Sequence, residues 1–274
     1  MKKLKYTFKS DVLFKLLFVK YPDLLRRLIA ALLKIPYESI TEFNITNSEM
    51  PPEALGKKFC RLDIAMTVND QQANLEIQVE NEGNFPERSL FHWARQYSLA
   101  LPESEDYSKL PRTIIIAIIH FKLFPCKEFH SEYEALEVTR HTRLSDRLNL
   151  HIFELPKLPK AISAEMGLEL WLALFKAKTE EDLNKIEKMG VPVMNEAIVA
   201  YRHVSSSPEF IEMERMRSKA LHDEAQALRK AGLDGEKRGE KRSNKKWQGV
   251  VADKETTIAE QAAEIARLRA KLGE

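Results

Sequence analysis

The run Thr113–Ile119, Thr-Ile-Ile-Ile-Ala-Ile-Ile, limits the possible folds more than any other stretch of the chain. It is almost wholly apolar and β-branched, so as a strand it has no polar face to turn to water. Such a strand belongs in the middle of a mixed sheet, buried on both faces. Ile114–Ile119 is also far shorter than the roughly 20 apolar residues that cross a bilayer.

Upstream, Arg61–Val79 alternates twice. Leu62, Ile64, Met66 and Val68 stand against Asp63, Ala65 and Thr67; then Ala73, Leu75, Ile77 and Val79 stand against Asn74, Glu76 and Gln78. Period two on both sides of Asn69-Asp70-Gln71-Gln72 predicts a β-hairpin with one buried face. A four-residue loop pairs Val68 with Ala73 and sets Asp63 across from Gln78, with Glu76 as its diagonal neighbour. Diagonal neighbours lie roughly 7–8 Å apart, near enough for two carboxylates to hold one divalent cation between them. The plainer alternative is a pair of solvated acids on the outer face.

The rest of the first half reads as helices and loops that frame this hairpin. Ser10 suits an N-cap with Asp11 in the first turn. Leu13, Phe14, Leu17 and Phe18 supply its apolar stripe, with Asp11 and Lys15 four apart on a more polar side. Pro22 opens a second helix rich in leucine, stopped by Pro36, and Thr41–Thr46 suits a strand. After Gly83-Asn84, Pro86 fits the start of a helix on which Arg88, His92 and Arg95 share one face. That stripe suits either a phosphate backbone or ion pairs with Glu80, Glu82 and Glu87.

Further on, Leu150–Phe153 is a short candidate strand, and Phe129–Arg147 gives no clear pattern. His130, His141 and His151 do not fall at metal-ligand spacing and read as structural or surface residues. Ala161–Phe210 has helical periodicity, Ser205-Ser206-Ser207-Pro208 breaks it, and Glu209–Lys230 reads as a charged helix. Gly232, Gly235 and Gly239 lack P-loop spacing, so no nucleotide cofactor is expected.

Charge matters by its distribution. The net charge is only +2, yet Arg229–Lys254 carries nine Lys/Arg against four Asp/Glu. Lys237, Arg238, Lys241 and Arg242 are then candidates for a phosphate-binding arm, with a solvated linker as the alternative. Ile258, Ile265 and Leu272 recur every seven residues, with Gln261 and Leu268 between them. That predicts a short coiled coil and a homo-oligomer, against the alternative of a lone amphipathic helix docking elsewhere. Cys60 and Cys126 make neither a disulfide framework nor a zinc motif. Both read as reduced, in a cytoplasmic protein without membrane attachment.

Three stretches carry a family resemblance. Asp63 followed by Glu76-Ile77-Gln78 resembles the PD-(D/E)XK nuclease core in the E-x-Q form of the Rpn family, recombination-promoting nucleases often described as transposases. Asp11-Val12-Leu13-Phe14-Lys15-Leu16-Leu17-Phe18 is similar to that family's opening D-x-x-F-K-x-x-F helix. Glu87–Tyr97, ERSLFHWARQY, is similar to its R-S-x-x-Y-W-x-x-x-Y segment. The resemblance implies an α/β, restriction-endonuclease-like core over 1–155, with a central mixed sheet flanked by helices, followed by a helical region over 156–230; the charge and heptad patterns add a basic linker over 231–254 and a short coiled coil over 255–274. It implies DNA as substrate, Mg²⁺ or another divalent cation on Asp63 and Glu76, and catalytic roles for Gln78 and Asp11, the alternative for Asp11 being an i,i+4 ion pair with Lys15; Lys15 is also a candidate for the catalytic cation that Gln78 does not supply. DNA contacts would come from Arg88, His92, Arg95 and the basic arm. Gln78 departs from the lysine that most relatives of the wider superfamily carry there.

Overall fold

A computed structural model describes residues 2–47, 64–101 and 104–272. The described residues form a six-stranded sheet of order β1-β2-β3-β4-β6-β5. The strands are β1 (Phe43–Ile45), β2 (Ile64–Val68), β3 (Gln71–Gln78), β4 (Thr113–Ile119), β5 (His130–Leu136) and β6 (Arg143–Glu154). β4 runs parallel to β3 on one side and to β6 on the other, and every one of its residues is buried. The apolar run therefore occupies the centre of a mixed sheet, as its lack of a polar face requires. The two outer pairings, β1 with β2 and β5 with β6, are antiparallel.

The hairpin differs from the sequence expectation in its register. Val68 pairs with Gln71, and the turn is Asn69-Asp70 alone. Asn69 adopts φ 51°, a left-handed conformation that asparagine tolerates better than most residues. Its side chain also accepts from the Thr41 and Glu42 amides at 2.9 and 3.1 Å and donates to the Ser39 carbonyl at 3.1 Å. The turn is thus shortened by an asparagine that staples the lead-in to β1. Gln71 and Gln72 are polar yet belong to the strand. Asp63, expected across from Gln78, lies outside the described residues, as does Cys60.

Helices cover both sheet faces. The first two are α1 (Asp11–Lys20) and α2 (Pro22–Leu33). α1 begins as predicted, the Ser10 hydroxyl accepting from the Leu13 amide at 3.1 Å. α3 (Phe85–Leu99) follows the hairpin, and α4 (Gly167–Lys176), α5 (Glu180–Glu187) and α6 (Pro192–Ser206) follow β6. α5 starts on a capping box of Thr179 and Asp182. One large cluster joins α1 and α2 to Ile64, Met66, Ala73, Leu75, Ile114, Ile116 and Ile118, and continues into Trp171, Phe175, Ile198, Tyr201 and Phe210. The helices after residue 155 therefore share a core with the sheet. A smaller cluster on the opposite face joins Phe85 of α3 to Ala117, Ile119 and Ile152.

The last helix, α7, spans Pro208–Leu272 without interruption, including the glycine-containing basic stretch expected as a linker. The chain divides into two compact units, Met1–Ser218 and Lys219–Glu274. The described part of the second unit is helix only, with its side chains almost all exposed. Among the described residues no helix is long and apolar enough to cross a membrane.

Candidate active site

The parallel register places Glu76 beside Ala117 and Gln78 beside Ile119. Ala117 and Ile119 pack on Phe85, the first residue of α3. Glu76 and Gln78 therefore share the sheet face that α3 covers, while Ala73 and Leu75 turn into the main core. The pleat alternates side chains in this way wherever a strand has one face committed to the core.

Glu76 is 7% exposed, so it is not the solvated acid of the plainer reading. A carboxylate removed from water needs charge or hydrogen-bond partners to remain ionised. Glu76 is not without one. Gln78 is half-buried, and its amide nitrogen donates to the Glu80 carbonyl at 2.8 Å. Its neutral side chain therefore holds the strand exit as well as facing the Glu76 side of the sheet.

A second buried acid shows what a structural carboxylate looks like here. Glu154 ends β6 on the α3 side of the sheet, two strands from Gln78 through Ile119. It is 1% exposed, accepts from the Leu123 and Phe124 amides at 2.6 and 3.3 Å, and pairs with Lys157. Those bonds latch the segment after β4 onto β6.

The basic residues of α3 divide. Arg88 forms an ion pair with Glu82 at 2.7 Å and lies over the Phe85 ring, so its ion-pair reading is realised. His92 is half-buried, and Arg95 is exposed. Trp93 anchors the helix to the sheet through its indole nitrogen, which donates to the Thr113 carbonyl at 3.0 Å. Tyr97 stacks on Trp93 at 4.9 Å. Lys237, Arg238, Lys241 and Arg242 are exposed on α7, in two i,i+4 rows.

Asp11 and Lys15 sit on α1, whose apolar residues belong to the main core. The Asp11 carboxylate pairs with Arg217 at 2.9 Å and accepts from the Val12 amide at 3.0 Å. Beside it, Ser10 donates to Glu214 at 2.6 Å, and burial pushes that carboxyl above its ordinary range. Lys15 is 4% exposed, not on a polar side as its spacing suggested, and it too is not without a partner.

Sequence reasoning missed two features. The His120 amide donates to the Gln78 carbonyl at 2.9 Å, and its ring titrates at about 4 because of burial and then the nearby Lys9 and Lys178 charges. The other is the approach of His130 to His151, whose ring nitrogens lie 3.1 Å apart, with Glu132 beside them. The signal was present as His-x-Glu and Asn-x-His, two residues apart on each strand. It had no meaning until the two strands were known to pair.

A family model described as PD-(D/E)XK nuclease family transposase matches residues 8–231. The chain belongs to this family. No curated protein and no solved structure matches it. The matched span covers the sheet, α1 through α6 and the first part of α7, so the nuclease-like assignment rests on the whole fold rather than one motif.

Proposed function

We propose that the chain is a metal-dependent DNA endonuclease that hydrolyses phosphodiester bonds and acts in recombination, in the manner the Rpn resemblance implies. The observation that supports it best is Glu76, a buried acid at the end of β3 within the matched span. A carboxylate offers the oxygen donors that Mg²⁺ prefers. Glu76 fits that requirement, and Asp63 is its proposed co-ligand. A bound ion there supplies positive charge for the scissile phosphate and makes a water more acidic.

The chain's own residues do the rest. Glu76 and Asp63 would hold the ion, and Gln78 would orient a water or a phosphate oxygen through its amide. Asp11 and Lys15 are proposed as supporting groups from α1. Arg88, His92, Arg95 and the basic rows of α7 position the phosphate backbone. A second reading, a nuclease-derived DNA-binding or assembly module with little cleavage, is favoured by the neutral Gln78; strand transfer by a transposase is a third. Supercoiled plasmid incubated with the protein and Mg²⁺, then with EDTA, tests the first. Nicking or linearisation that EDTA abolishes supports it, and DNA binding without cleavage supports the module.

We place this activity in the cytoplasm and expect the chain to act as a homo-oligomer. Ile258, Ile265 and Leu268 are exposed on a helix with no core of its own. Long isolated helices gain little stability in water without an apolar face to bury. A second copy would bury this stripe. Ile265→Asp should then lower the mass seen by light scattering, and an unchanged mass would remove the coiled coil.

A further inference from the structure

We propose that His130, Glu132 and His151 form a second metal site, for a divalent transition ion of the zinc class, on the face of the sheet opposite Glu76. This goes beyond the nuclease reading and uses none of its residues.

The site follows from the pairing of β5 with β6. Glu132 pairs with His151, and His130 pairs with Phe153. His130 and Glu132 are two apart and so point the same way, as do Asn149 and His151. One ligand atom from each of His130, Glu132 and His151 can be chosen so that all three lie within 4.8 Å of one another. Ligands about 2.0–2.2 Å from a tetrahedral ion stand roughly 3.3–3.6 Å apart. The two histidine nitrogens, at 3.1 Å, are already near that separation. Glu132, whose side chain is 47% exposed, has room to swing inward.

The neighbouring hydrogen bonds prepare the ligands. Asn149 is fully buried, and its amide nitrogen donates to Glu132 at 3.0 Å. Its oxygen therefore faces His151 Nε2, 2.5 Å away. An amide oxygen only accepts, so Nε2 carries the proton and Nδ1 presents its lone pair toward His130 Nε2. One asparagine thus fixes the tautomer of one ligand and the orientation of another, the usual office of an outer partner in a metal site. Metal entry needs only that the His130 proton move from Nε2 to Nδ1, so no net proton is lost.

The ligands open onto a cavity of about 110 Å³ that Leu32, Ile35 and Arg112 help to line, more than the roughly 30 Å³ a water occupies. Lys34 and Arg112 also border it. Two positive neighbours weigh against Mg²⁺ or Ca²⁺, which are held mainly by charge on oxygen. They matter less to an ion that bonds imidazole nitrogen, which selects the zinc end of the divalent series. Without metal, the same residues close a hydrogen-bonded chain from His130 through His151 and Asn149 to Glu132. That chain explains why the site can exist empty and remain folded.

The test uses the full-length protein carrying Asp63→Ala and Glu76→Gln in every arm, so that loss of the proposed nuclease acids cannot be confused with this site. Zn²⁺ is titrated against a chromophoric chelator, and Co²⁺ is added to report coordination by its visible absorption. The expected result is one ion per chain, four-coordinate Co²⁺ bands, and no competition from excess Mg²⁺. Glu132→Gln keeps an oxygen for the Asn149 bond and should fold, yet weaken Zn²⁺ at least about tenfold. His130→Gln should weaken it further, by about a hundredfold. Unchanged Zn²⁺ affinity in both variants would overturn the proposal. So would a rise in melting temperature with inorganic phosphate and none with Zn²⁺, which would make the cavity an anion pocket of Lys34 and Arg112.

Discussion

Glu76 and Glu154 are both buried at the ends of strands on the α3 side of the sheet, and their surroundings differ. Glu154 accepts from two backbone amides and pairs with Lys157, so its oxygens are spent on closing the segment after β4. Glu76 lies on the α3 face of β3, two residues from Gln78 and paired in register with Ala117. The lesson is that burial of an acid does not identify a catalytic group. A carboxylate whose partners are backbone amides and a neighbouring lysine is a structural device. Under the proposed function, Glu76 meets a ligand instead.

The largest expected effect separates the two acids. Glu76→Gln, like Asp63→Ala, should lower Mg²⁺-dependent plasmid cleavage by at least ~10²–10³-fold, the order that loss of one electrostatic contact with a transition state costs. Its effect on the melting temperature should be the smaller one, since glutamine keeps the size and an acceptor oxygen of Glu76. Glu154→Gln should do the reverse. It leaves Lys157, whose side chain is 5% exposed, without its countercharge, so the melting temperature falls while the rate per folded molecule holds. Cleavage lost in Glu154→Gln at full folding, or kept in Glu76→Gln, would break the comparison.

How far this difference could be read in advance depends on the range of the contacts. β4 and the Ser10 cap are local patterns, and each appears in the structure where the sequence places it. The hairpin register was misjudged because two glutamines resemble loop, whereas Asn69 completes the turn by bonding to residues 28 and 30 positions earlier. The basic stretch reads as a linker from its run of charges, and the structure places it inside a continuous helix. The histidine cluster was illegible because β5 carries polar residues on both faces. Alternation assigns Glu76 to the solvent side, and the resemblance marks it only as a metal ligand, so its burial was not legible in the sequence.

A second effect concerns acid. Burial holds His120 at about 4 in the folded chain, against about 6.5 when unfolded. The unfolded state then binds more protons between these values, so stability falls as pH drops from about 6.5 to about 4 and levels off below. The span corresponds to roughly 3 kcal/mol for this one group. His130 and His151, also depressed by burial, act in the same direction on the other side of the comparison, away from the acids. His120→Phe should therefore flatten the fall without abolishing it. A parental slope in that variant, measured by urea denaturation across this window, would show that His120 is solvated or paired in solution.

The smallest expected effect sharpens the assignment of the α3 face. Gln78 lies two residues from Glu76 on the same side of β3, and its amide spends one hydrogen on the Glu80 carbonyl. Gln78→Lys would trade that neutral contact for a charge near a buried carboxylate. Lysine can still donate to Glu80, so the strand exit should survive. Its charge would favour the ionised form of Glu76, since opposite charges on neighbouring groups attract. It would also add electrostatic stabilisation of a phosphate transition state. Cleavage should therefore be equal or up to about tenfold higher, with little change in melting temperature. Cleavage that falls tenfold or more in a fully folded Gln78→Lys protein would mean that the amide itself positions a reacting group, its acceptor oxygen being the one function lysine cannot supply. Glutamine would then be a working member of the site and not a weakened lysine.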